Sequence, residues 1–156
     1  MAAMTDTLEN RILDWFFRGQ AISLNGASAA AGTGPTSLYV GLMTVAPSDS
    51  SVGTEVSGGS YARVTVASNM TNWSGTQGSA TTTSSSGTGG TISNNIAITF
   101  PAPTANWGTV NNFGIWDALT NGNLLFWGTL TSPKTINSGD AAPAFAASSL
   151  TVQIDN

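Results

Sequence analysis

Hydrophobic residues near the start of the chain recur at helical spacing. In residues 5–18, TDTLENRILDWFFR, the apolar stripe consists of Leu8, Ile12, Trp15 and Phe16 and is widened by Leu13. The pattern therefore predicts one amphipathic helix at the N-terminal end.

The polar residues of this helix predict where it begins, where it ends and which side faces away from the stripe. Asp6 followed by Glu9 has the form of a capping box, and Gly19 has the place of a C-cap residue. The opposite side is covered by Glu9, Asn10, Arg11, Asp14 and Arg18. Two interpretations of the stripe are open: the helix packs on its own domain, or it is an arm that docks on a neighbouring subunit.

After residue 36 the hydrophobic period changes from 3.6 to 2, which indicates strands. Strands are predicted at 37–45, 61–68, 95–100, 108–117, 123–130 and 148–155. Connections rich in small or turn-forming residues are predicted at 20–36 (a linker or long loop), 46–60, 74–95 (an exposed, mobile loop, with or without strand character at its ends) and 132–140 (turns around a short extended piece). Because helices do not alternate with the strands, we expect an all-β fold, an antiparallel jelly roll or β-sandwich with one N-terminal helix. The predicted division is a helix and linker arm, 1–36, and a β-sandwich domain, 37–156.

Three of the five tryptophans lie in residues 107–130, WGTVNNFGIWDALTNGNLLFWGTL, which predict a hairpin with a tight polar turn. Both faces of this hairpin carry bulky residues. One face is expected to bury in the core, and the other needs cover from the helix, a loop or another subunit. Interface residues predicted here are Phe113, Trp116 and Trp127, alongside Leu8, Ile12, Trp15 and Phe16 of the helix. Gly114 and Gly128 are expected where a large neighbour lies flat on the sheet.

A sugar site is the alternative explanation of the exposed aromatic rings, since sugars stack on tryptophan beside polar side chains. The asparagines of the hairpin, Asn111, Asn112, Asn121 and Asn123, fit such a site, but asparagine and glycine at turns also serve backbone geometry.

Composition and charge remove several classes of function. Charged residues make up 8% of the 156 residues, against about 25% in an average domain. The net charge is −4 with four cations in all, so neither a nucleic-acid surface nor contact with an anionic membrane is expected. A weakly charged surface of this kind favours assembly into something larger. The N-terminal segment lacks the basic region of a secretion signal, and no apolar run is long enough for a membrane span.

Catalytic chemistry has few candidate residues. The absence of histidine and cysteine excludes Ser-His-Asp and Cys-His arrangements and thiolate metal sites. The carboxylates form no recognised catalytic motif, and Asp117 with nearby asparagines is better explained by turn chemistry than by a calcium ion. Glu55 and Arg63 stand at the two ends of one loop, either as a closing ion pair or as unrelated solvated charges. We therefore expect no enzyme, no cofactor and no metal.

Several segments of the chain form one recognisable set. They are TDTLENRILDWFF, SLYVGLMTVAPSD, GTEVSGGSYARV, ISNNIAITFP, WGTVNNFGIWDALTNGNLLFWGTL, SPKTINSGD and the closing SLTV. Together they resemble a group of small virion proteins of tailed bacteriophages, often labelled tail fibre proteins and in part similar to capsid cement or decoration proteins. The linker at 20–36 and the loop at 74–90 are not part of this set.

The resemblance implies a non-enzymatic structural protein, most simply a capsid cement protein on the outer surface of the head. Its expected partners are the major capsid protein and itself, as a dimer or trimer, after assembly in the host cytoplasm. The alternatives are a tail or head fibre component in host attachment and a carbohydrate-binding module.

Overall fold

Short antiparallel strands carry most of the regular structure. A computed structural model describes residues 4–24, 27–29 and 34–154. The elements in chain order are α1 (Asp6–Arg18), β1 (Ile22–Leu24), β2 (Ala27–Ala29), β3 (Ser37–Val45), β4 (Thr54–Glu55), β5 (Val64–Ala67), β6 (Trp73–Ser74), β7 (Thr91–Asn94), β8 (Ile98–Thr99), β9 (Gly108–Trp116), β10 (Leu124–Ile136), β11 (Ala144–Phe145) and β12 (Thr151–Gln153). The predicted class, an antiparallel all-β fold with one N-terminal helix, is confirmed.

The chain folds into two units, each built from separated segments. The first takes Met1–Ser37, Ala67–Ala97 and Phe145–Asn156 as far as these are described; the second takes Leu38–Val66 and Ile98–Ala144. Whether residues 1–36 act as an arm stays a prediction.

The second unit is built on a sheet of order β10-β9-β3-β4, in which β5 also pairs with β3. Strands β9 and β10 form the predicted hairpin, with Trp127 directly opposite Gly114 and Gly114 directly opposite Gly41 of β3. Side chains directly opposite one another in paired strands point to the same face, so these three positions share one face of the sheet. The buried apolar residues of this unit include Leu38, Val40, Leu42, Met43, Ile98, Val110, Ile115 and Ile136.

Strand β10 is longer than the sequence predicts. It continues through Pro133 and Lys134 to Ile136, so the short extended piece predicted within 132–140 is the last part of this strand. The strand lies at the edge of its sheet, and its register with β9 shifts between Thr129 and Lys134. Proline is tolerated at edge strands and bulges because no ladder hydrogen bond is needed from its nitrogen.

The first unit contains the helix, the sheet β12-β7-β6 and the pair β1-β2. Leu13 and Phe17 of α1 are fully buried, and the Phe17 ring meets the buried Trp73 ring edge to face at 4.9 Å between centroids. The small antiparallel pair β1-β2 lies within residues 20–36, which were predicted as a linker or long loop, so that prediction is wrong for these two strands. Part of this segment lies outside the described residues.

The helix buries the side that the sequence pattern assigns as its polar surface. The buried residues of α1 are Glu9, Asn10, Leu13, Asp14, Phe17 and Arg18, whereas Leu8, Ile12, Trp15 and Phe16 are only partly buried. The placement of the polar side away from the core is therefore wrong.

Arg18 explains this inversion, because the residue is 1% exposed and all three nitrogens of its guanidinium donate hydrogen bonds. Its Nη1 lies 2.8 Å from Asp14 Oδ1, and its other nitrogens donate to the carbonyl oxygens of Trp73 (3.2 Å), Thr81 (3.0 Å) and Thr83 (2.8 Å). A buried charge is tolerated when it is paired and its donors are satisfied.

The loop over residues 74–90 supplies several of these partners. Most of its residues are exposed, as predicted, and strands β6 and β7 lie at its two ends, but the part that bonds to the helix is held against it. Asp14 Oδ2 accepts the backbone N–H of Ser85 at 2.7 Å, and Asn10 donates to the Gly87 carbonyl at 2.8 Å. The Thr76 hydroxyl in turn donates to Asn10. Backbone groups that a Ser/Thr/Gly loop leaves unpaired are thus satisfied by polar side chains of the helix.

The two ends of α1 differ in how well they were predicted. The N-cap is Thr5 without a side-chain capping bond, so the expected capping box between Asp6 and Glu9 is wrong. Gly19 is the predicted C-cap, with φ of 65°, and a Cβ there would lie 2.8 Å from the Ser68 carbonyl oxygen. Among the described residues, no helix has the length and apolar character needed to cross a membrane.

Arg18 is expected to be essential for the stability of the first unit. We predict that Arg18→Met lowers the free energy of unfolding by about 3–5 kcal/mol, because Asp14 and the loop carbonyls would stay buried without their donor. Arg11→Met, on the partly exposed side of the same helix, is the control and is expected to change it by less than about 0.5 kcal/mol. Urea unfolding followed by circular dichroism measures both, and equal stabilities of the two variants would contradict the prediction.

Candidate interaction surface

The four interface residues predicted on α1 do lie on one side of the helix. Leu8, Ile12, Trp15 and Phe16 are each partly exposed, and the rings of Trp15 and Phe16 meet edge to face at 4.7 Å. A Cβ on Gly34 would lie 3.2–3.3 Å from the Trp15 ring, so this glycine allows the chain to pass close to the indole. The side of α1 opposite its buried polar residues is therefore a half-covered apolar surface.

The three interface residues predicted in the hairpin differ sharply in exposure. Phe113 and Trp116 are 7% and 4% exposed, whereas Trp127 is 45% exposed. Only Trp127 of these three presents a large accessible apolar area to a partner.

The buried aromatic rings of the hairpin lie over its glycines. A Cβ on Gly114 would lie 2.5 Å from the Trp116 ring, and one on Gly128 would lie 2.7 Å from the Phe113 ring. The expectation of large neighbours over these two glycines is confirmed, and the neighbours are the hairpin's own side chains. Any larger residue would displace these rings from the sheet.

Arg63 covers the Trp116 ring from above. Its guanidinium carbon lies 4.0 Å from the ring centroid, within the range of a cation–π contact. The same guanidinium forms a two-pronged ion pair with Glu55, with Nε–Oε1 at 2.8 Å and Nη2–Oε2 at 2.7 Å. The sequence left open whether Glu55 and Arg63 pair, and the structure confirms the ion pair. We call Glu55, Arg63, Tyr61 and Trp116 the Arg63 cluster.

The Arg63 cluster also fixes the hairpin turn. Arg63 Nη1 donates to the carbonyl oxygens of Ala118 and Asn121, each at 2.7 Å. Asn121 and Gly122 both have positive φ, 56° and 72°, a conformation that Asn-Gly sequences adopt readily. One side chain thus joins the sheet, the loop and the turn.

Asp117 closes the same turn from the other side. Its Oδ1 accepts the backbone N–H of Asn123 at 2.7 Å, and its Oδ2 accepts the Asn123 side-chain amide at 2.8 Å. The side-chain bond from Asn123, followed by the backbone bond, lowers the pKa of this carboxyl. Turn chemistry therefore accounts for Asp117.

Tyr61 connects the cluster to the aromatic core of the second unit. Its hydroxyl donates to Glu55 Oε1 and accepts the backbone N–H of Leu42, both at 2.8 Å. Its ring stacks on Phe100 at 6.3 Å and meets Trp107 edge to face at 5.3 Å. Burial, with a further contribution from Glu55, raises the pKa of the phenol far above its usual value of 10.

The ionic groups of this surface are occupied by one another, so the cluster is organised for rigidity. In the part of the chain that is described, no three acidic, histidine or cysteine side chains lie together as a set that would hold a metal ion. What the surface offers a partner is partly exposed apolar area on a fixed backbone, at Leu8, Ile12, Trp15 and Phe16 in one unit and at Trp127 in the other.

Comparison with protein families decides what kind of protein carries this surface. The family model described as Podophage GP4 fiber I protein gp80 matches residues 3–153. The chain belongs to this family. It is accordingly a structural protein of the phage virion, of the fibre type, and the predicted resemblance to tailed-phage virion proteins is confirmed at that level. A comparison with curated proteins found no match.

One feature of this fibre-family chain follows an expectation from the sequence, and another was missed. The cover of Trp116 was expected from the helix, a loop or another subunit, and the loop is confirmed, because Arg63 at the end of its loop supplies the cover. The exposed cleft beside Trp127 was not expected, because its other wall comes from residues 48–52, about 75 positions earlier in the chain.

Arg63 should be the most sensitive position of the second unit. We predict that Arg63→Lys lowers the free energy of unfolding by about 2–4 kcal/mol, because lysine keeps the charge and loses both the two-pronged pair and the planar stack. The exposed Lys134→Met is the control and should cost less than about 0.5 kcal/mol. Chemical unfolding followed by tryptophan fluorescence measures both, and a Lys variant as stable as the parent would refute the fork geometry.

The raised pKa of Tyr61 predicts alkali sensitivity. A phenol whose folded pKa exceeds its unfolded value contributes stability that is complete below about pH 10 and is lost as the pH rises further. We expect the stability difference between the parent and Tyr61→Phe to shrink above pH 10. Absorbance at 295 nm should show equal tyrosine ionisation in both folded proteins, and a difference of one tyrosine in guanidinium. A difference of one tyrosine in the folded proteins would contradict the prediction.

Proposed function

We propose that this chain is a non-enzymatic subunit of the virion fibre that acts by holding other virion proteins through apolar contacts. The observation that carries the proposal is the family match over residues 3–153. The partly exposed stripe of α1 and the exposed Trp127 supply contact area, and 8% charged residues leave few charges to desolvate in an interface. The partners that fit are further copies of this chain, as a dimer or trimer, and a neighbouring virion protein.

A capsid cement role is the second candidate, with the major capsid protein as partner and the outer surface of the head as location. The short helix and the short sheets of the described residues favour this role. A fibre shaft usually consists of long repeats or a coiled coil, whereas the helix here has 13 residues and the strands lie in short sheets. Short sheets and a helix fit a subunit that decorates a surface at least as well as a shaft.

A cryo-electron map of the purified virion distinguishes these two locations. We expect density for this fold on the tail, in the copy number of the fibres. Density at capsid symmetry axes would support the cement role, and its absence from the particle would overturn both.

The partly exposed stripe of α1 is expected to be a contact in the particle. We predict that the double variant Leu8→Gln, Ile12→Gln reduces the copies per virion severalfold while the protein stays folded, because the core residues Leu13 and Phe17 are untouched. Deleting the whole helix would remove that core and could not separate the two effects. Thr7→Gln, an exposed position of the same helix, is the control. Quantitative mass spectrometry of particles measures incorporation, and normal incorporation of the double variant would exclude the stripe as a contact.

A further inference from the structure

A small open cleft lies beside Trp127 in the second unit. Its walls are residues 48–52, between β3 and β4, and Leu124, Leu125 and Trp127 of β10, and its volume is about 390 Å³. This size falls at the lower end of small-molecule sites in proteins.

One part of the cleft is apolar and fixed in position. Trp127 is 45% exposed and is the most exposed of the five tryptophans, and Val52 nearby is 67% exposed. Trp127 stands opposite Gly114, the residue covered by the Trp116 ring that Arg63 holds in place. Because this indole stands on a strand that is already ordered, little conformational entropy is lost when a ligand binds to its face.

The other part of the cleft is polar and is also ordered. Ser48 and Ser51 exchange two backbone hydrogen bonds, of 2.8 and 3.2 Å, and the backbone N–H of Gly53 donates to the Ser51 hydroxyl at 3.3 Å. The turn closed in this way carries the exposed carboxylate of Asp49 and the hydroxyl of Ser50. An ionised carboxylate accepts hydrogen bonds only, and strong ones, so it suits a ligand rich in hydroxyl donors.

We propose that this cleft binds a neutral sugar ring. The apolar C–H face of a pyranose would lie on Trp127, whose ring face carries partial negative charge, and the hydroxyl groups would donate to Asp49. No lysine or arginine is among the lining residues, while a carboxylate is, so a sugar acid would meet like charge. The small cleft combines one exposed ring with hydroxyl groups and a carboxylate. This combination fits a sugar better than it fits a protein surface. The binding activity adds to the structural role proposed above and does not depend on where the subunit sits in the virion.

Saturation-transfer NMR on the full-length protein tests the site with defined probes. The probes are the methyl pyranosides of glucose, galactose and rhamnose, with methyl glucuronide as the acidic counterpart. We expect at least one neutral probe to bind and to protect Trp127 from acrylamide quenching, and the glucuronide to bind at least fivefold more weakly. Trp127→Ala should weaken binding at least tenfold and Asp49→Ala at least threefold. Leu119→Ala, an equally exposed apolar residue outside the lining, should stay within twofold.

Several outcomes would overturn the proposal. These are no binding of any neutral probe, binding that Trp127→Ala leaves unchanged, or equal binding of the glucuronide. Sedimentation velocity adds a further one, since self-association that disappears in Trp127→Ala would mean that a second copy occupies the cleft. Circular dichroism of each variant establishes that the fold is kept, so a loss of binding reports on the cleft.

Discussion

The ion pair between Arg63 and Glu55 is the interaction on which the second unit most depends. Alone, a partly exposed pair contributes little to stability. Here the same guanidinium also covers Trp116 and holds two carbonyl oxygens of the hairpin turn. The Trp116 ring in turn lies over Gly114 and Gly41. The close packing of this ring on the sheet therefore depends on the Arg63 cation. Loss of Arg63 would release the turn, the loop and the ring together.

Arg18 has the corresponding position in the first unit. The chain has only four cations, and the side chains of these two arginines are 0% and 8% exposed, each beside a carboxylate. Backbone carbonyls complete both sites, which is the arrangement that a planar guanidinium with five donors satisfies best. Although the sequence has few charged residues, two of its four cations are central to the fold. They hold loops in place through hydrogen bonds to backbone carbonyls and contribute little to the charge of the surface.

The sequence predicts those features that depend on neighbouring residues. Strand β3 was predicted with its observed bounds, the hairpin of β9 and β10 follows from apolar alternation around an Asn-Gly turn, and Gly19 ends the helix as expected. The side on which α1 is buried was not predicted, because periodicity measures apolar spacing alone. Arg18 is buried by carbonyls of Thr81 and Thr83, more than sixty residues away, and no local pattern reveals such acceptors. A loop was among the covers expected for Trp116, but the contact of its ring with the Arg63 cation was not predicted, for the same reason.

The interface residues were the least predictable part, since a tryptophan in a strand has the same local pattern whether it is buried or exposed. Trp116 and Trp127 stand on paired strands, and their exposures are 4% and 45%. The Trp116 ring lies between the sheet glycines and Arg63, whereas the Trp127 ring lies beside the polar turn at 48–52. The polar side chains around the exposed Trp127 indole limit the kind of ligand that can cover it. In the first unit the uncovered area is a wider stripe of apolar side chains, which suits a protein partner. The two exposed surfaces of this virion protein thus differ in chemistry, and that difference is the physical basis for assigning assembly to one and ligand binding to the other.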